Sequence, residues 1–523
     1  MNSPAPTGLP QPRIIPRSDH SVSRAQISPN ALRVLYRLRE GGYQAFLVGG
    51  CVRDLLLGIT PKDFDVATDA LPEEVRKLFR NCRLVGRRFR LAHVFFGRET
   101  IEVATFRAAT APSQGEEPAE LESEDAEELG EASADLATDL AEDPEEDLIE
   151  DSVDEGFGPE HEAEQHIAEG EEEADAAPAP ASRPWSAADV PESDTHRAFD
   201  ETGRILRDNV YGSIDEDVWR RDFTANSLYY NIADFSLWDY VDGAQDIAAR
   251  TLRLIGDPET RYREDPVRML RAARFEAKLG FQLDPATAEP IGRLAELLGG
   301  VPPARLFDET LKLFLTGHGE SSYAVLRRRG LLGALLPTVV AYLDEHPGSL
   351  VEQLLLQGLR NTDQRVLADK PVTPTFLFAL LLYGPIAGII EAMPPQQWHE
   401  AGAILDACDQ AVRRAQVRIS IPRRFSLGLR EMFALQPRLE HPRGRRALRS
   451  LEHPRFRAAY DLLLLRSQLG MAAPEMVQWW TRLQEVGATE RERMADALGG
   501  GGPPRREGAR RGPRRRRRPA NPA

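Results

Sequence analysis

Cysteine is scarce. The three residues Cys51, Cys82 and Cys408 lie far apart and form no CxxC pair. That excludes a disulfide framework and a cysteine-rich zinc site, and it fits a reducing, cytoplasmic setting. Long hydrophobic runs are also lacking. Met1–Arg17 is rich in proline and has no apolar signal core, so no secretory signal is expected. Pro371–Ile390 is uncharged and half aliphatic, but Gly384-Pro385 interrupts it. It reads as two buried helical pieces and not as a membrane span. No GxxxxGK[ST] segment occurs, so there is no sign of a P-loop nucleotide site. Positive charge is absent from one long block: residues 111–180 hold 28 Asp and Glu and no Lys or Arg. Against a net charge of −16 for 523 residues, the rest of the chain is +12, of which Arg505–Arg518 supplies +8. The working parts are therefore basic, although the average is acidic.

What is present divides into segments. Residues 1–25 read as a flexible leader. Ser28-Pro29 opens a helix that Gly41-Gly42 closes, with Leu32, Leu35 and Leu38 to one side. Gln44–Val48 reads as a strand, Val52–Leu57 as a short helix, Asp63–Ala67 as a strand and Pro72–Phe79 as a helix. Leu91–Phe96 and Thr100–Thr105 form a hairpin around Gly97-Arg98. The acidic block, taken as 111–199, cannot bury enough apolar surface to offset its ordering entropy and is expected to be disordered. Beyond it, Trp219–Tyr230 and Glu264–Leu279 read as helices and Thr251–Leu254 as a strand. The pattern is helical from Pro302 to about Leu498, with breaks at 330–337, 384–385 and 442–444. The fold class is α+β: a small mixed or antiparallel sheet with helices (26–110 plus 200–250), then an all-α neck (251–300) and body (301–498). A disordered Arg-rich tail (499–523) ends the chain.

Chemistry concentrates in the first part. Gly49-Gly50 lies between strand and helix, where backbone N–H groups can approach an anion, although such a pair is often only a turn. Asp63 and Asp65 sit at i and i+2 on the expected strand, so both carboxylates share a face and Phe64 takes the other. A solvated strand edge would explain this pair equally well. Glu102 alternates with Ile101 and Val103 and can join them. Three acids on one face repel each other; divalent cations relieve that, and Mg²⁺ keeps open positions for phosphate. The set can make a two-ion site for in-line phosphoryl transfer.

Leu47-Val48-Gly49-Gly50, Val52-Arg53-Asp54 and Asp63-Phe64-Asp65 together resemble the nucleotidyltransferase head of the class II tRNA nucleotidyltransferase and poly(A) polymerase family. The resemblance continues through Arg220-Arg221-Asp222-Phe223-Thr224, Asn226-Ser227-Leu228, Arg263-Glu264-Asp265-Pro266, Arg268, Arg271 and Arg274-Phe275. It implies that Asp63, Asp65 and Glu102 hold the metal ions, and that Gly49, Gly50, Arg53 and Asp54 cradle triphosphate and sugar. By the same resemblance Arg220, Arg221 and Asp222 contact ribose and phosphates. Asp265 and Arg268 present hydrogen bonds to the incoming base, with Arg271 and Arg274 in the same nucleotide-binding motif. Spacing agrees for the last pair: i and i+3 are neighbours on a helix. Arg274 falls on the Val267, Leu270 and Ala277 stripe, which calls for a buried or interdomain partner.

Within the family, Leu84–Val94 resembles the poly(A) polymerase form, and so do Glu452–Leu462 and Trp479-Trp480. Taken without the family, Phe456, Tyr460 and the tryptophans belong to a core. Arg87, Arg88 and Arg90 form a cationic stretch suited to RNA or triphosphate. Arg514, Arg515, Arg516, Arg517 and Arg518 would bind phosphate without reading sequence. No His-Asp dipeptide occurs, so the metal phosphohydrolase domain of some CCA-adding relatives is not visible. His93 and His318 read as structural or polar-contact residues. The resemblance implies AMP addition from ATP to RNA 3′ ends, marking RNA for decay, with RNA-decay proteins or an RNA chaperone as partners. CCA addition to tRNA and a non-catalytic RNA-binding adaptor are the alternatives, and three retained acids argue against the adaptor. The acidic block departs from the family pattern, as a solvated spacer or as an RNA mimic.

Overall fold

The computed structural model describes residues 11–86, 90–97, 99–108, 211–398 and 400–498, with the backbone of a hairpin at Arg197–Phe199 and Ile205–Asp208. Most of the acidic block, Arg87, Arg88 and the Arg-rich tail lie outside the described residues. The chain forms two compact units, one of Met1–Pro337, Thr362–Thr373 and Val417–Ser420 and the other of Thr338–Asn361, Pro374–Gln416 and Ile421–Ala523.

The first unit carries an eight-stranded sheet. Its strands are β1 (Arg13–Ile15), β2 (Ala45–Val48), β3 (Asp65–Thr68), β4 (Cys82–Val85), β5 (Leu91–Phe96), β6 (Glu99–Thr105), β7 (Leu228–Asn231) and β8 (Leu237–Asp239). Their spatial order is β1-β8-β7-β2-β3-β6-β5-β4. Only β3 and β6 run parallel, so the sheet is mixed and mainly antiparallel, as expected. β2 lies at its centre, which is why all four of its residues are buried. The leader expectation fails for residues 13–25: β1 pairs along the β8 edge, and Val22 is wholly buried.

Helix α1 (Pro29–Glu40) starts as its sequence dictates. The Ser28 hydroxyl accepts from the Asn30 N–H, and Pro29 occupies the first turn, where its missing N–H costs nothing. Its buried face is Ala31, Val34, Leu35 and Leu38, with Leu32 on the flank. Helices α2 (Gly50–Leu56) and α3 (Pro72–Leu78) follow β2 and β3.

Two expected helices are not continuous. Trp219–Tyr230 is a pair of 3₁₀ turns, Val218–Arg220 and Thr224–Asn226, that lead into β7. Side chains there bond the local backbone and nearby acids: the Asp222 carboxylate accepts from the Phe223 N–H, and the Thr224 hydroxyl donates to Asp246. Such bonds compete with a helix. Glu264–Leu279 is split into α4 (Pro258–Glu264) and α5 (Val267–Leu279). Pro266 drives the residue before it out of helical geometry, and Asp265 has φ −148° and ψ 93°. Thr251–Leu252 pairs in parallel with Gln282–Leu283. Helix α6 (Pro303–Phe314) then buries Leu306, Phe307, Leu311 and Phe314.

The second unit is helical. Leu435, Leu439, Phe456, Tyr460, Leu463, Trp480 and Leu483 share one core, and the buried Trp480 indole donates to the Leu439 carbonyl at 2.8 Å. Phe456, Tyr460 and Trp480 are core residues, as expected of them without the family resemblance. Among the described residues no single helix is long and apolar enough to cross a membrane. Pro374–Leu381 and Tyr383–Glu391 are bent by 46°. The break falls at Leu382, not at Gly384-Pro385, because a proline fits the first turn of a new helix.

Candidate active site

β2 delivers the chain to Gly49, whose φ of +81° and ψ of −138° only glycine adopts without strain. There the backbone passes close to the acids: a Cβ on Gly49 would lie 3.8 Å from the Asp65 carboxylate. Gly50 begins α2.

Asp65 is the first residue of β3, so the strand starts two residues later than expected. Asp63 is exposed in the preceding loop, and Phe64 is buried. In the parallel pairing of β3 with β6, Asp65 stands opposite Glu102. The three acids act on one another. Burial first, then the charges of Glu102 and Asp63, push the Asp65 carboxyl up to about 7, against the pull of Arg221. Burial and the Asp63 charge raise Glu102 as well, opposed by Lys312. Across the sheet His93 pairs with Glu102, Nε2 to Oε1 at 3.7 Å. Burial, then Arg83, lowers the His93 imidazole. Among the described residues no three His, Cys, Asp or Glu side chains converge tightly enough to hold an ion unaided. The donor set nonetheless suits hard dications: carboxylate oxygens gathered at a cost that only cations or protons relieve.

The Arg220–Asp222 motif is held from beneath. The Arg221 guanidinium donates to Asp217 at 3.0 Å and to the Tyr229 hydroxyl at 2.8 Å, while that hydroxyl donates to Asp217 at 2.8 Å. Arg261 donates to the Arg220 and Arg221 carbonyls at 2.9 and 2.7 Å. Asp217, Tyr229 and Arg261 escaped the sequence reading; only the Asp217–Arg221 spacing of four could have flagged one of them. Asp222 turns inward, its carboxylate 2.6 Å from Arg271. Burial pushes its carboxyl up, but Arg271, the Phe223 N–H and Arg268 together outweigh that and hold it at about 2.

Other expected ligands are held by partners within the fold. Arg53, expected beside the triphosphate, is 2% exposed. It donates to Asp54 at 2.6 Å and to Asn226 at 2.5 Å, and its guanidinium lies 5.5 Å from the Phe275 ring centroid. Arg53 and Asp54 therefore tie α2 to the Asn226 turn. Asp265 is not a helix neighbour of Arg268 as expected. It caps α4 and receives a two-pronged bond from Arg305 at 2.8 and 2.7 Å. Arg268 donates to Glu264 at 2.9 Å and to the Arg261 carbonyl at 2.7 Å. Arg274 has the buried partner its stripe called for: Glu309 at 3.6 Å, with the Phe275 ring 4.6 Å from the guanidinium. Arg305 and Glu309 lie about thirty residues beyond the motif, where no local pattern connects them to it. Arg90 pairs with Glu73 at 3.0 Å. Arg87, Arg88 and Arg514–Arg518 lie outside the described residues.

Comparison with known proteins supplies what geometry leaves open. Residues 45–149 and 129–253 match the model of the poly A polymerase head domain. Residues 280–343 match the probable RNA and SrmB-binding site of polymerase A, and 396–520 match the polymerase A arginine-rich C-terminus. Poly(A) polymerase I of Escherichia coli O6:H1 is 43% identical over 496 residues, 94% of this chain and 89% of that protein. The CCA-adding enzyme of Bacillus subtilis is 29% identical over 297 residues, 57% of this chain and 52% of that protein. A solved structure of a tRNA-processing enzyme in its apo form has a TM-score of 0.52 at 18% identity, covering 92% of this chain and all of that one.

Proposed function

The chain belongs to the bacterial poly(A) polymerase family, and from that premise we propose that it adds AMP from ATP to RNA 3′ ends without a template. The observation that carries this reading is the gathering of Asp65 opposite Glu102 on adjacent strands, with Asp63 in the preceding loop, where burial first and then the other two acids push the Asp65 carboxyl up to about 7. Such a cluster is costly for a fold and useful for binding nucleoside triphosphate through Mg²⁺. Asp63, Asp65 and Glu102 would hold the ions. When bound, they would stabilise charge on the attacking oxygen and on the departing pyrophosphate. A bond forms between the RNA 3′-oxygen and the α-phosphorus, and the bond from that phosphorus to the pyrophosphate oxygen breaks.

The protein's own groups position the reactants. Gly49 allows the backbone to pass beside Asp65. Arg221, fixed by Asp217 and Tyr229, keeps a cation next to the carboxylates. Asp265 and Arg268 read the base, and Arg305 and Glu264 hold them in place. A rigid acceptor and donor set selects a base without a nucleic-acid template. The domain roles follow: a nucleotidyltransferase head before Arg250, a base-reading neck after it, and an RNA-binding helical body with a basic tail. The same reading places the protein in the cytoplasm, in RNA processing and decay alongside decay proteins or an RNA chaperone.

CCA addition is the second reading, favoured by the shared fold. Supplying ATP alone and ATP with CTP, to tRNA and to an unrelated RNA, separates the two. We expect long adenylate tails on both RNAs with ATP alone, and loss of incorporation in Asp65→Ala. A stop after three nucleotides on tRNA only would favour CCA addition. Wild-type incorporation by Asp65→Ala would falsify the site assignment.

A further inference from the structure

The chain on either side of the acidic insertion meets at one point. The Gly212 N–H donates to the Phe106 carbonyl at 3.0 Å, and Arg107 bridges Tyr211 in antiparallel register. Gly212 packs so closely there that a Cβ would stand 2.7 Å from the Ala108 backbone. Asp217 ends the helical turn Ile214–Asp217 that follows and is 8% exposed. One of its carboxylate oxygens accepts from the Arg107 N–H at 3.2 Å, at the root of the insertion. The other accepts from Arg221, through Nε at 3.2 Å and Nη2 at 3.0 Å, and from the Tyr229 hydroxyl at 2.8 Å. The buried Tyr229 hydroxyl also accepts from Arg221 Nε at 2.8 Å. The remaining guanidinium nitrogen, Nη1, has no hydrogen-bond partner among the described residues. It lies 4.0 Å from where a Gly49 Cβ would be, and the Asp65 carboxylate lies 3.8 Å from the same point. The guanidinium is thus gripped along one edge, and its third nitrogen is left beside the Gly49 turn.

We propose that Asp217 is a positioning residue of the transfer reaction: it ties Arg221 to the root of the acidic insertion and so presents Nη1 to the phosphates of bound ATP. An arginine stem left to itself samples many rotamers, and ordering it when a ligand arrives costs affinity. Asp217 orders it when the protein folds, because one buried carboxylate can satisfy donors on both its sides only in a single arrangement. Asp217 acts through Arg221 and touches no substrate. The root therefore belongs to the nucleotide site, although none of its own side chains faces the reaction. The proposal rests on reading Asp63, Asp65 and Glu102 as the transfer centre.

The test uses the full chain with Mg²⁺, ATP and a single-stranded RNA oligonucleotide. Wild type and Asp65→Ala establish the centre itself: if they incorporate AMP equally, the reading beneath the proposal fails, whatever Asp217 does. With that control in place, Asp217→Asn keeps the shape but leaves one acceptor oxygen for donors on both sides. We expect about a tenfold rise in KM for ATP, of the size that loss of a charge-assisted contact brings, with KM for RNA at wild type. A smaller folded fraction lowers the apparent kcat and leaves KM alone, so a purely structural role does not produce this split. Arg221→Gln should also raise KM for ATP. Asp217→Asn added to it should change little, because a residue that acts through Arg221 then has nothing to position. Gly212→Ala disturbs the root without altering either side chain and should raise KM for ATP as well. If that variant does not fold, Asp217→Glu, which lengthens the same link by a methylene, takes its place with the same expected rise. The proposal is wrong if Asp217→Asn lowers only the melting temperature or raises KM for RNA instead. It is equally wrong if the effects of Asp217→Asn and Arg221→Gln multiply, or if the root variant that folds keeps the wild-type KM for ATP.

Discussion

A single carboxyl group shows what the site costs. Asp65 titrates at about 7, against 3.8 for an unperturbed carboxyl, because burial and two neighbouring acids disfavour its charge. Between those values the folded protein holds a proton that the unfolded chain has released. Stability without metal therefore falls as pH rises from about 4 towards 7, the direction that linkage requires when the native state binds more protons. Asp65→Asn removes the charge while keeping the shape. In the absence of metal its melting temperature should exceed that of wild type at pH 8, with a much smaller gap at pH 5. Mg²⁺ should raise the wild-type value at pH 8 and leave the variant nearly unmoved. Scanning fluorimetry at the two pH values, with and without Mg²⁺, checks both signs. A variant less stable than wild type at pH 8 without metal would show that the carboxylates do not strain one another.

Elements explain which parts of this site could be read from sequence. The Gly49-Gly50 turn was legible because a strand meets a helix there and the backbone needs a conformation that only glycine provides. Gly49→Ala tests this. The new Cβ would meet nothing nearer than 3.8 Å, so the penalty is conformational and not steric. Forcing alanine to φ +81° costs about 1–3 kcal/mol. We expect a lowered melting temperature and a loss of AMP incorporation exceeding the loss of fold, since the turn would shift away from Asp65. Alternation likewise placed Glu102 correctly, because Ile101 and Val103 face the core on either side of it. Trp219–Tyr230 was misread for a physical reason. Its helical-looking composition is overridden by Asp222 and Thr224, which bond elsewhere, and by central sheet positions that demand Leu228, Tyr229 and Tyr230. The Asp265-Pro266 break was in plain sight as a proline, yet the periodicity on both sides hid it. Arg305 and Glu309 were not legible as site residues because each acts through a tertiary partner, and tertiary contact leaves no trace in local spacing; Asp217 left only its spacing of four from Arg221.

At the scale of the whole molecule, charge is segregated. Residues 111–180 carry 28 negative charges, inserted between β6 and the Arg220 motif, while the remainder of the chain is +12. A polyanion tethered to an RNA enzyme can act in two ways. It can occupy basic residues as RNA would, or it can raise a diffuse negative potential that salt screens. Screening separates them, because the Debye length is about 8 Å at 0.15 M salt and about 30 Å at 0.01 M. A solvated spacer is felt only when the screening length approaches the distance between the tether and the bound RNA. Deleting 113–195 should then leave RNA affinity within about twofold at 0.15 M salt, and raise it several-fold at 0.01 M, where the repulsion is long-ranged. Filter binding of a single-stranded RNA across this range gives the answer. If the deletion strengthens binding tenfold or more at 0.15 M, the acidic residues make direct contacts that screening does not erase, and the insertion is a competitor for RNA and not a spacer.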